Sequence, residues 1–534
     1  MKRITVNVRS FEDIRTKGDY IYVDKTEYVY SLVRNELENY YFISRPRRYG
    51  KSLMCSTLQA LFEGKRELFK GLYIDSTDYS FEKYPVLHFN FASYNTNSYE
   101  SFLDDFQIAL SNEAERSGIT IERDEPSTML TAVLKKIKGK AVIIVDEYDT
   151  PIIHTYKNLE LADRIRDSLS SFYSVIKNTD DKVRFFFITG ITKFSNMSIF
   201  SHMNNLTDLT FDKRYATAFG YTEKELEDNF SEYIDLYMSR SEREYEKRED
   251  FISAVRDYYD GYKFSYENET KVYNPVSVGS FFNDDCSFNN YWMNTGGAST
   301  LAVELARQYN LETIILDNVK LDANSISSFD YLLLSQGKLS QLQILALIYF
   351  TGYLTIKEGN RNVLTLTFPN TEVRTTFTQF LVQKYSGITA GFFVDDAETA
   401  LKKHDLAQLV KVLNAYYVQH PYTLLEKEKG YQLAFYSFFV MMGAVAMRAE
   451  ETTLLGRSDI VLETKNDVYI VELKRDKSAQ EALEQVKEMG YHQKYVNGKK
   501  TIHIIGMNCI SEKRQINEWV EEIVDKAKET TYLG

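Results

Sequence analysis

The sequence predicts an α/β protein of several domains, and three stretches carry that prediction. FISRPRRYGKSL (42–53) joins an apolar segment to a helical one through a basic, glycine-containing loop. AVIIVDEYDTP (141–151) is an apolar, β-branched run that ends in two acids. DIVLE (459–463) and VYIVELK (468–474) form two further strand-like segments that carry acids. Strands alternating with helical segments favour a parallel sheet in the first part and a second α/β domain at the end.

Composition and length limit the class of protein. A chain of 534 residues with 44% hydrophobic side chains is long enough for two to four packed domains. Its three cysteines match no metal or disulfide spacing, which predicts a reducing cytoplasmic environment. The amino terminus has no apolar core of a signal peptide. The longest apolar run, residues 434–447, is too short for a bilayer and predicts a buried helix, so no membrane association is expected.

The net charge of −12 is unevenly distributed along the chain. Residues 401–534 contain 19 basic and 19 acidic side chains, so the whole excess of acids lies in residues 1–400. Such a chain does not bind nucleic acid through its overall charge. Any contact with DNA or RNA is expected from a local patch, and the neutral carboxyl-terminal part is the better place for one.

The first motif predicts a phosphate-binding loop. YYFIS (40–44) is a strand candidate, KSLMCSTLQALF (51–62) has helical periodicity, and Gly50, Lys51 and Ser52 lie between them. Backbone amides would hold phosphates, Lys51 would contact the β and γ phosphates, and Ser52 would bind Mg²⁺. Arg45 occupies the position of the usual first glycine, so a basic surface turn is the alternative.

The acids of the second motif complete this site. A parallel strand buried on both faces has the composition of AVIIVD, and ligands bind at the carboxyl ends of such strands. We expect Asp146 to hold Mg²⁺ and Glu147 to polarise the attacking water. The alternative is a strand that ends at solvent. VLHFNF (86–91) and VRFFFITGITKF (183–194) supply further strands. A strand inserted between the loop lysine and the acidic pair is typical of ATPases with a catalytic glutamate. Thr189 and Thr192 could sense the γ phosphate or could cap the strand end.

The middle of the chain predicts structure without chemistry. Residues 216–330 are dense in amphipathic helix patterns and predict an all-helical lid. A helix over 339–352 with a hairpin over 353–357 and 363–370 predicts a winged-helix-like connector. We therefore divide the chain into a nucleotide domain (1–215), a lid (216–330), a connector (331–400) and a final α/β domain (401–534).

The last third predicts a second metal site. Glu472 and Lys474 are two apart in one strand and therefore face the same side, where Asp459 of the neighbouring strand could join them. Two carboxylates can bind Mg²⁺, and a lysine can orient a water for phosphodiester hydrolysis. Glutamate–lysine pairs are also common on surface hairpins. A closing strand is expected at 501–507, while His492 and His503 are interpreted as packing residues.

The first 370 residues resemble the bacterial AAA-ATPase-like proteins. The resemblance rests on RPRRYGKSL (45–53), VDEYDTPI (145–152), ITGITKFSNMSIFSHMNNLTDLT (188–210) and DYYDGYKFSYENETKVYNPVSV (257–278). In that family an arginine-rich loop before GKS is the usual form, so Arg45 is no departure. The resemblance implies a true nucleotide loop of a variant type. We therefore expect an ATP site with Mg²⁺ that includes Arg47, Arg48, Tyr49, Gly50, Lys51, Ser52, Asp146 and Thr189.

The same resemblance raises the question of assembly. Arg47 and Arg48 could neutralise phosphate or act across a subunit contact of a homo-oligomer, and Arg214 is a weaker candidate of that kind. Each of them could equally be a solvated residue of a turn.

The last domain resembles the PD-(D/E)XK nuclease superfamily. The matching pieces are the apolar segment FYSFFVMMGAVAM, then an acid, GR-x-D, VELK and a glutamine-containing helix, with Ser458 in place of the proline. The resemblance implies Asp459 and Glu472 as ligands of Mg²⁺ or Mn²⁺, Lys474 as the catalytic lysine and Gln485 as a neighbour. Glu450 or Glu451 would add a further acid, and the sequence leaves that choice open.

Together these features predict an ATP-dependent nuclease that acts on DNA or RNA. The alternative is a regulatory or assembly ATPase whose last domain only binds nucleic acid or a protein partner. A scaffold without activity is the weakest interpretation, because it would require both sites to be inactive.

Overall fold

A computed structural model of the chain describes residues 1–4, 6, 8–35, 38–193, 205–294, 319–323, 338–386, 391–418, 434–435, 438, 446–449, 460–463, 466–490, 492–496, 498, 500–513 and 515–524. It divides into two compact units. The first comprises Met1–Gln308 and Asn318–Glu372, and the second comprises Tyr309–Asp317 and Val373–Gly534.

A five-stranded parallel sheet forms the core of the first unit. Its strands are β1 (Tyr40–Ser44), β2 (Val86–Asn90), β3 (Ala141–Asp146), β4 (Val183–Gly190) and β5 (Thr207–Asp208), in the order β2-β3-β4-β1-β5. The first four strands confirm the sequence prediction, and β5 is additional. In the sheet, the strand inserted between β1 and β3 is β4. Strand β2 lies between the two motifs in the sequence, but it forms an edge of the sheet. Every residue of β1 and β3 is buried, as expected for central parallel strands.

Helices connect these strands, as a parallel sheet requires. They are α1 (Phe11–Lys17), α2 (Thr26–Val33), α3 (Lys51–Phe62), α4 (Tyr99–Arg116), α5 (Pro126–Lys136), α6 (Thr150–Thr155) and α7 (Leu159–Asn178). Short 3₁₀ helices span Arg66–Phe69, Tyr73–Ser76, Phe91–Ser93, Asp180–Lys182 and Lys213–Tyr215. Helix α3 packs against β2, β3 and β4, which holds the loop before it at the carboxyl end of the sheet.

Further helices follow the sheet in the first unit. They are α8 (Glu223–Met238), α9 (Arg248–Tyr259), α10 (Pro275–Asn283) and α11 (Tyr291–Asn294), and the first three share one aromatic-rich core. Helix α8 begins with a capping box of Thr222 and Glu225, whose carboxylate also accepts from Lys25 at 2.7 Å. This ion pair fixes the start of α8 to the segment just before α2.

The predicted helix and hairpin of the middle region are confirmed. Helix α12 spans Gln341–Phe350, and the strands that follow β6 (Val319–Asp322) are β7 (Thr355–Gly359) and β8 (Val363–Thr367). The three strands form an antiparallel sheet in the order β6-β8-β7. The all-helical prediction for residues 216–330 is therefore wrong at β6. This four-residue strand gives no apolar run to detect and takes its conformation from pairing with β8.

The second unit contains a mixed sheet and helices. Three helices precede the sheet: α13 (Thr371–Ser386), whose first two residues belong to the first unit, α14 (Gly391–Lys402) and α15 (Leu406–Val418). The strands are β9 (Ala446–Ala449), β10 (Ile460–Glu463), β11 (Asp467–Arg475), β12 (Thr501–Ile510) and β13 (Gln515–Ile523), in the order β13-β12-β11-β10-β9. The β11–β12 pair is parallel and the others are antiparallel. Helix α16 (Ala479–Glu488) and the 3₁₀ helix Gln493–Tyr495 connect β11 to β12.

The predicted hairpin and closing strand of this domain are confirmed, whereas the apolar run at 434–447 needs a correction. Residues 434, 435 and 438 are helical, but residues 446 and 447 begin β9, which pairs with β10. Pairing with a neighbouring strand decides the conformation where an apolar run alone is ambiguous. Within the described parts of the chain, we find no helix with the length and apolarity needed to cross a bilayer.

Candidate functional site

The loop between β1 and α3 is held in an unusual backbone conformation. Gly50 has φ 91° and directly precedes the first residue of α3, while Arg48 has φ 73°. A Cβ at Gly50 would meet nothing within 4 Å, so the backbone conformation and not space requires glycine there. The left-handed conformation of Arg48 costs about 1–3 kcal/mol, which surrounding structure must offset. Backbone strain of this kind concentrates at functional sites.

Lys51 is buried and held across the loop. Only 3% of its side chain is exposed, and Nζ donates to the carbonyl oxygens of Arg45 at 3.0 Å and Pro46 at 3.1 Å. The same nitrogen lies 3.6 Å from Oε1 of Glu147. An ammonium held by carbonyls that it can exchange for phosphate oxygens is ready to bind an anionic ligand.

Asp146 ends β3 beside the first turn of α3. It is fully buried, and its Oδ2 lies 3.5 Å from the amide nitrogen of Asn90. Burial, together with the neighbouring charge of Glu147, raises the pKa of Asp146 to about 6, although a hydrogen bond from Ser52 opposes that rise. The Oδ1 atom has no hydrogen-bond partner among the described residues. A buried carboxylate oxygen without a partner, next to a serine hydroxyl, matches the hard oxygen ligands that Mg²⁺ prefers.

Glu147 is the second strained residue of the site. Its φ is 55°, its side chain is 16% exposed, and Oε2 accepts from the hydroxyl of Thr150 at 3.2 Å. Burial disfavours its charged form, but the positive charges of Lys51 and Arg47 outweigh burial and lower the pKa of Glu147. The carboxylate is therefore ionised and able to accept a proton at neutral pH.

Asp149 is a member of this region that the sequence analysis missed. Its Oδ2 accepts from the backbone nitrogens of Ile191 at 3.0 Å and Thr192 at 2.6 Å, and from the Thr192 hydroxyl at 2.7 Å. Burial and the charge of Glu147 raise the pKa of Asp149 to about 6. A Cβ at Gly190 would lie 2.5 Å from its Oδ1, so glycine permits this contact. The spacing in DEYD and TGIT was the available signal.

These contacts bear on the two threonines at the end of β4. The Thr189 hydroxyl donates to the carbonyl of Ile43 at 2.8 Å and so joins β4 to β1. The Thr192 hydroxyl donates to Asp149. Both hydroxyls thus have structural partners, which favours the capping alternative over γ-phosphate sensing in this conformation.

Arg45 and Tyr49 are structural residues of the loop. Arg45 is buried and donates to the carbonyls of Ser44, Thr210 and Tyr215, and burial lowers its pKa to about 10. The ring of Tyr49 is buried, and it makes edge-to-face contacts with the two aromatic rings of residues 262 and 264. Arg45, at the position of the usual first glycine, therefore holds the loop through three hydrogen bonds that a glycine could not make.

Arg47 and Arg48 line a cavity of about 300 Å³ together with Lys51 and Glu147. The rest of its wall is largely apolar or aromatic and was missed by the sequence analysis: Val6, Val8, Ile21, Tyr22, Val23, Val29, Phe219, Tyr221, Pro275 and Val276. Arg9, Lys25 and Asn90 also line it. The cavity has the charged end and apolar wall that a nucleotide requires. Arg214 lies elsewhere: it pairs with Asp212 at 2.6 Å and lines a separate cavity.

The second unit brings part of the other predicted site together. Glu472 is fully buried on β11, and its Oε1 lies 2.9 Å from Nζ of Lys474. The register pairs Glu472 with Gly506 and Lys474 with Asn508. A Cβ at Gly506 would lie 2.1 Å from the carbonyl of Ala479, so α16 packs directly on the strand beside Glu472. Asn508, whose buried Oδ1 has no hydrogen-bond partner among the described residues, is an additional candidate.

The remaining predicted members of this second site have different outcomes. Gln485 lies on α16 and is half-buried. Asp459, Glu450 and Glu451 lie outside the described residues, so their distances from Glu472 are not part of this structure.

Comparisons with known proteins match the two parts of the chain that contain these candidate sites. Residues 5–200 match the family model described as predicted AAA-ATPase, and residues 426–519 match a PD-(D/E)XK nuclease superfamily model. A protein of Azotobacter chroococcum mcd 1, named as an uncharacterized protein in the vnfD 5′ region, is 30% identical over 98% of this chain and 99% of its own. The chain belongs to the AAA-ATPase-like family and carries a carboxyl-terminal PD-(D/E)XK nuclease-superfamily domain.

Among solved structures, the Aeropyrum pernix ORC1 protein in complex with DNA matches 66% of this AAA-ATPase-like chain and 91% of its own chain. The TM-score is 0.26 and the sequence identity 10%, values too low to support an argument about fold or function.

Proposed function

We propose that the first unit of this AAA-ATPase-like protein binds and hydrolyses ATP. The observation that carries the proposal is the convergence of Lys51, Asp146 and Glu147 at the carboxyl end of one sheet, with the Lys51 ammonium 3.6 Å from the Glu147 carboxylate. The cavity of about 300 Å³ that Lys51 and Glu147 line supports a ligand with a charged end and an apolar body.

Each residue has a role in this proposal. The backbone amides at the start of α3 and the Lys51 ammonium bind the phosphates. Ser52 and Asp146 would hold Mg²⁺, which would draw negative charge from the phosphate oxygens. Glu147 accepts a proton from the attacking water, for which its lowered pKa keeps it ionised. Arg47 and Arg48 add positive charge to the lining of the cavity.

We propose further that the carboxyl-terminal domain cleaves phosphodiester bonds of DNA or RNA with Mg²⁺ or Mn²⁺. The buried Glu472 supplies one carboxylate, and Lys474 at 2.9 Å is close enough to orient a water. Asp459 completes the ligand set in this proposal. Nucleotide state would control this activity, and the protein could act as a homo-oligomer.

The test combines both activities in one assay. Purified full-length protein is incubated with Mg²⁺ or Mn²⁺, with and without ATP, on single- and double-stranded DNA and RNA. We expect cleavage of one class that changes with ATP and is altered by Lys51→Ala, a substitution remote in sequence from Glu472. Equal cleavage with and without ATP would make the two activities independent. Binding of nucleic acid without cleavage would favour the regulatory alternative.

A further inference from the structure

Two histidines and a glutamate converge at a place that neither proposed activity uses. The Nδ1 atom of His503 lies 2.8 Å, and the Nε2 atom of His404 lies 3.1 Å, from the same Oε1 atom of Glu521. The imidazole centroids are 4.4 Å apart. One ligand atom from each residue lies within 4.8 Å of the others. His503 was interpreted from sequence as a packing residue, and its burial to 4% exposure does fit that role in part.

The cluster is distinct from the nuclease-like site. His503 is paired with Tyr469 across the β11–β12 ladder, while Glu472 is paired with Gly506, three residues further along. Because side chains alternate between the two faces of a sheet, His503 and Glu472 lie on opposite faces. Helix α16 packs on the Glu472 face, as the contact at Gly506 requires. The cluster is therefore not a displaced part of the D…ExK motif.

Each imidazole is oriented through its other ring nitrogen. The Nε2 atom of His503 lies 3.3 Å from Oδ1 of Asp467, and the Nδ1 atom of His404 lies 3.0 Å from the hydroxyl of Tyr469. A carboxylate that accepts from one imidazole nitrogen leaves the lone pair on the other nitrogen, which is the arrangement seen behind metal-bound histidines. The Tyr469 hydroxyl can accept from His404 in the same way, and in these tautomers both nitrogens that face Glu521 are lone-pair donors.

When both of these nitrogens carry lone pairs, a positive charge between the three groups is needed to offset their repulsion. Two imidazole lone pairs and a carboxylate oxygen repel one another when nothing cationic separates them. Either protons or a metal ion can supply that charge. The donor set of two imidazole nitrogens and one carboxylate is typical of zinc and similar transition metals, whereas Mg²⁺ prefers oxygen ligands.

The backbone at His404 also indicates that this residue is fixed in position. His404 has φ 53° in the turn between α14 and α15, and its backbone nitrogen donates to the carbonyl of Leu401 at 3.0 Å. Its side chain is 40% exposed, so one side of the cluster is open to solvent. A strained, exposed histidine beside a buried one gives an ion both a route of entry and room for a water ligand.

We propose that His404, His503 and Glu521 bind one divalent transition-metal ion of the zinc class, with Asp467 as the carboxylate that orients His503. Zinc–ligand distances of about 2.0–2.2 Å require ligand atoms about 3.4 Å apart in a tetrahedral site. The observed separations, 2.8 and 3.1 Å from the two imidazole nitrogens to Glu521 Oε1 and at most 4.8 Å within the set, bracket this value. The ion ties the α14–α15 turn to β12 and β13.

The experiment is a metal titration of the full-length protein after treatment with a chelator. Zn²⁺ is titrated by calorimetry, and Co²⁺ by visible absorption, in a large excess of Mg²⁺ that occupies sites made of oxygen ligands. We expect one equivalent of tightly bound ion and a cobalt spectrum of a four-coordinate site with nitrogen ligands. A parent protein that binds neither ion, or whose cobalt spectrum has the weak absorption of six oxygen ligands, overturns the proposal.

Two adjacent glutamates provide a matched pair of variants. Glu521 lies on the His503 face of β13, whereas Glu522 is paired with Ile504 and forms an ion pair with Lys487 of α16. Glu521→Gln and the exposed His404→Ala should each weaken zinc affinity at least 100-fold, on the order of the largest losses caused by removing outer partners. Glu522→Gln should leave it unchanged. Equal affinities in Glu521→Gln and Glu522→Gln contradict the assignment.

Two further variants separate this site from the nuclease-like site. Asp467→Asn should lower zinc affinity about 10–100-fold, because it removes an orienting partner and not a ligand. Glu472→Gln should leave zinc binding intact. Loss of zinc binding in Glu472→Gln, with retention in Glu521→Gln, would assign the ion to the D…ExK motif and overturn the proposal.

Discussion

Both units place a lysine beside a glutamate, but they do so by different means. In the first unit the Lys51–Glu147 pair, 3.6 Å apart, joins two loops, and left-handed backbone conformations at Arg48 and Glu147 hold it. In the second unit Glu472 and Lys474, 2.9 Å apart, are neighbours on one face of a regular strand. The loop pair carries strain that marks a functional site, whereas the strand pair requires none. A strand pair therefore needs additional support from its context before it is interpreted as catalytic.

Substitution of Lys474 in the strand pair sharpens this comparison through a large expected effect. Lys474→Ala should slow metal-dependent cleavage about 10²–10³-fold, the loss typical when one charge-stabilising group is removed. ATP hydrolysis should remain unchanged. Lys477→Ala, at an exposed position just after β11, is the control. Cleavage is measured on labelled nucleic acid, and equal rates in both variants would reduce the strand pair to a structural feature.

Lys51→Ala tests the loop pair. Loss of a charge-assisted hydrogen bond of about 1.5–3 kcal/mol should weaken ATP binding roughly 10- to 100-fold. Fluorescent nucleotide titration measures this affinity. Lys135→Ala, at an exposed position in the last turn of α5, is the matched control. Identical affinities in the two variants would place the nucleotide elsewhere.

Substitutions of two arginines in the same loop should distinguish a structural role from a role in ATP binding. Arg45→Met removes a donor from three carbonyls and should lower the free energy of unfolding by at least about 3 kcal/mol, since unpaired buried groups cost about 1–3 kcal/mol each. Arg47→Met should leave unfolding unchanged and weaken ATP binding. Denaturant unfolding and nucleotide titration distinguish them, and a reversed pattern would contradict the roles assigned here.

The smallest effect is the pH dependence of stability at Asp146. Its pKa is about 6 in the folded protein and near 3.8 when unfolded, so burial destabilises the ionised folded state above pH 6. That cost is lost as pH falls from 6 towards 3.8, because the folded state then binds the proton first. Without Mg²⁺ or nucleotide, Asp146→Asn should stabilise the protein at about pH 7.5 by up to about 3 kcal/mol.

The same difference should shrink at about pH 5. Melting of parent and variant at the two pH values measures it. A difference that stays constant with pH would mean that Asp146 is not the group whose pKa is raised.

The sequence predicted the residues whose spacing is local. Strand alternation places Glu472 and Lys474 on one face, and the strand–loop–helix pattern places Lys51 at the start of α3. Asp149 was not predicted because its partner Thr192 follows a different strand, and the sequence alone does not show that DEYD and TGIT meet. The apolar wall of the cavity was not predicted for the same reason, since residues near 6–29, 218–221 and 275–276 meet only through tertiary packing.

The strands show the same difference between local patterns and tertiary contacts. Long apolar runs gave β1, β3 and β4, whereas the short β5 and β6 and the glutamate-rich β13 depend on their neighbours for their conformation. Strand β9 lies in a run with helical composition and becomes a strand by pairing with β10. His503, by contrast, was noticed in sequence, but its proximity to His404 and Glu521 depends on the turn after α14.

The central claim is that Glu147 is the base of an ATP-hydrolysing site, and one paired measurement tests it most directly. ATP binding and phosphate release are measured in the same samples of parent, Glu147→Gln and the exposed control Glu115→Gln. Glu147→Gln should bind ATP like the parent and release phosphate about 10²–10⁴-fold more slowly, because an amide cannot accept the proton. Glu115→Gln should match the parent in both. Phosphate release by Glu147→Gln at the parent rate would contradict the account.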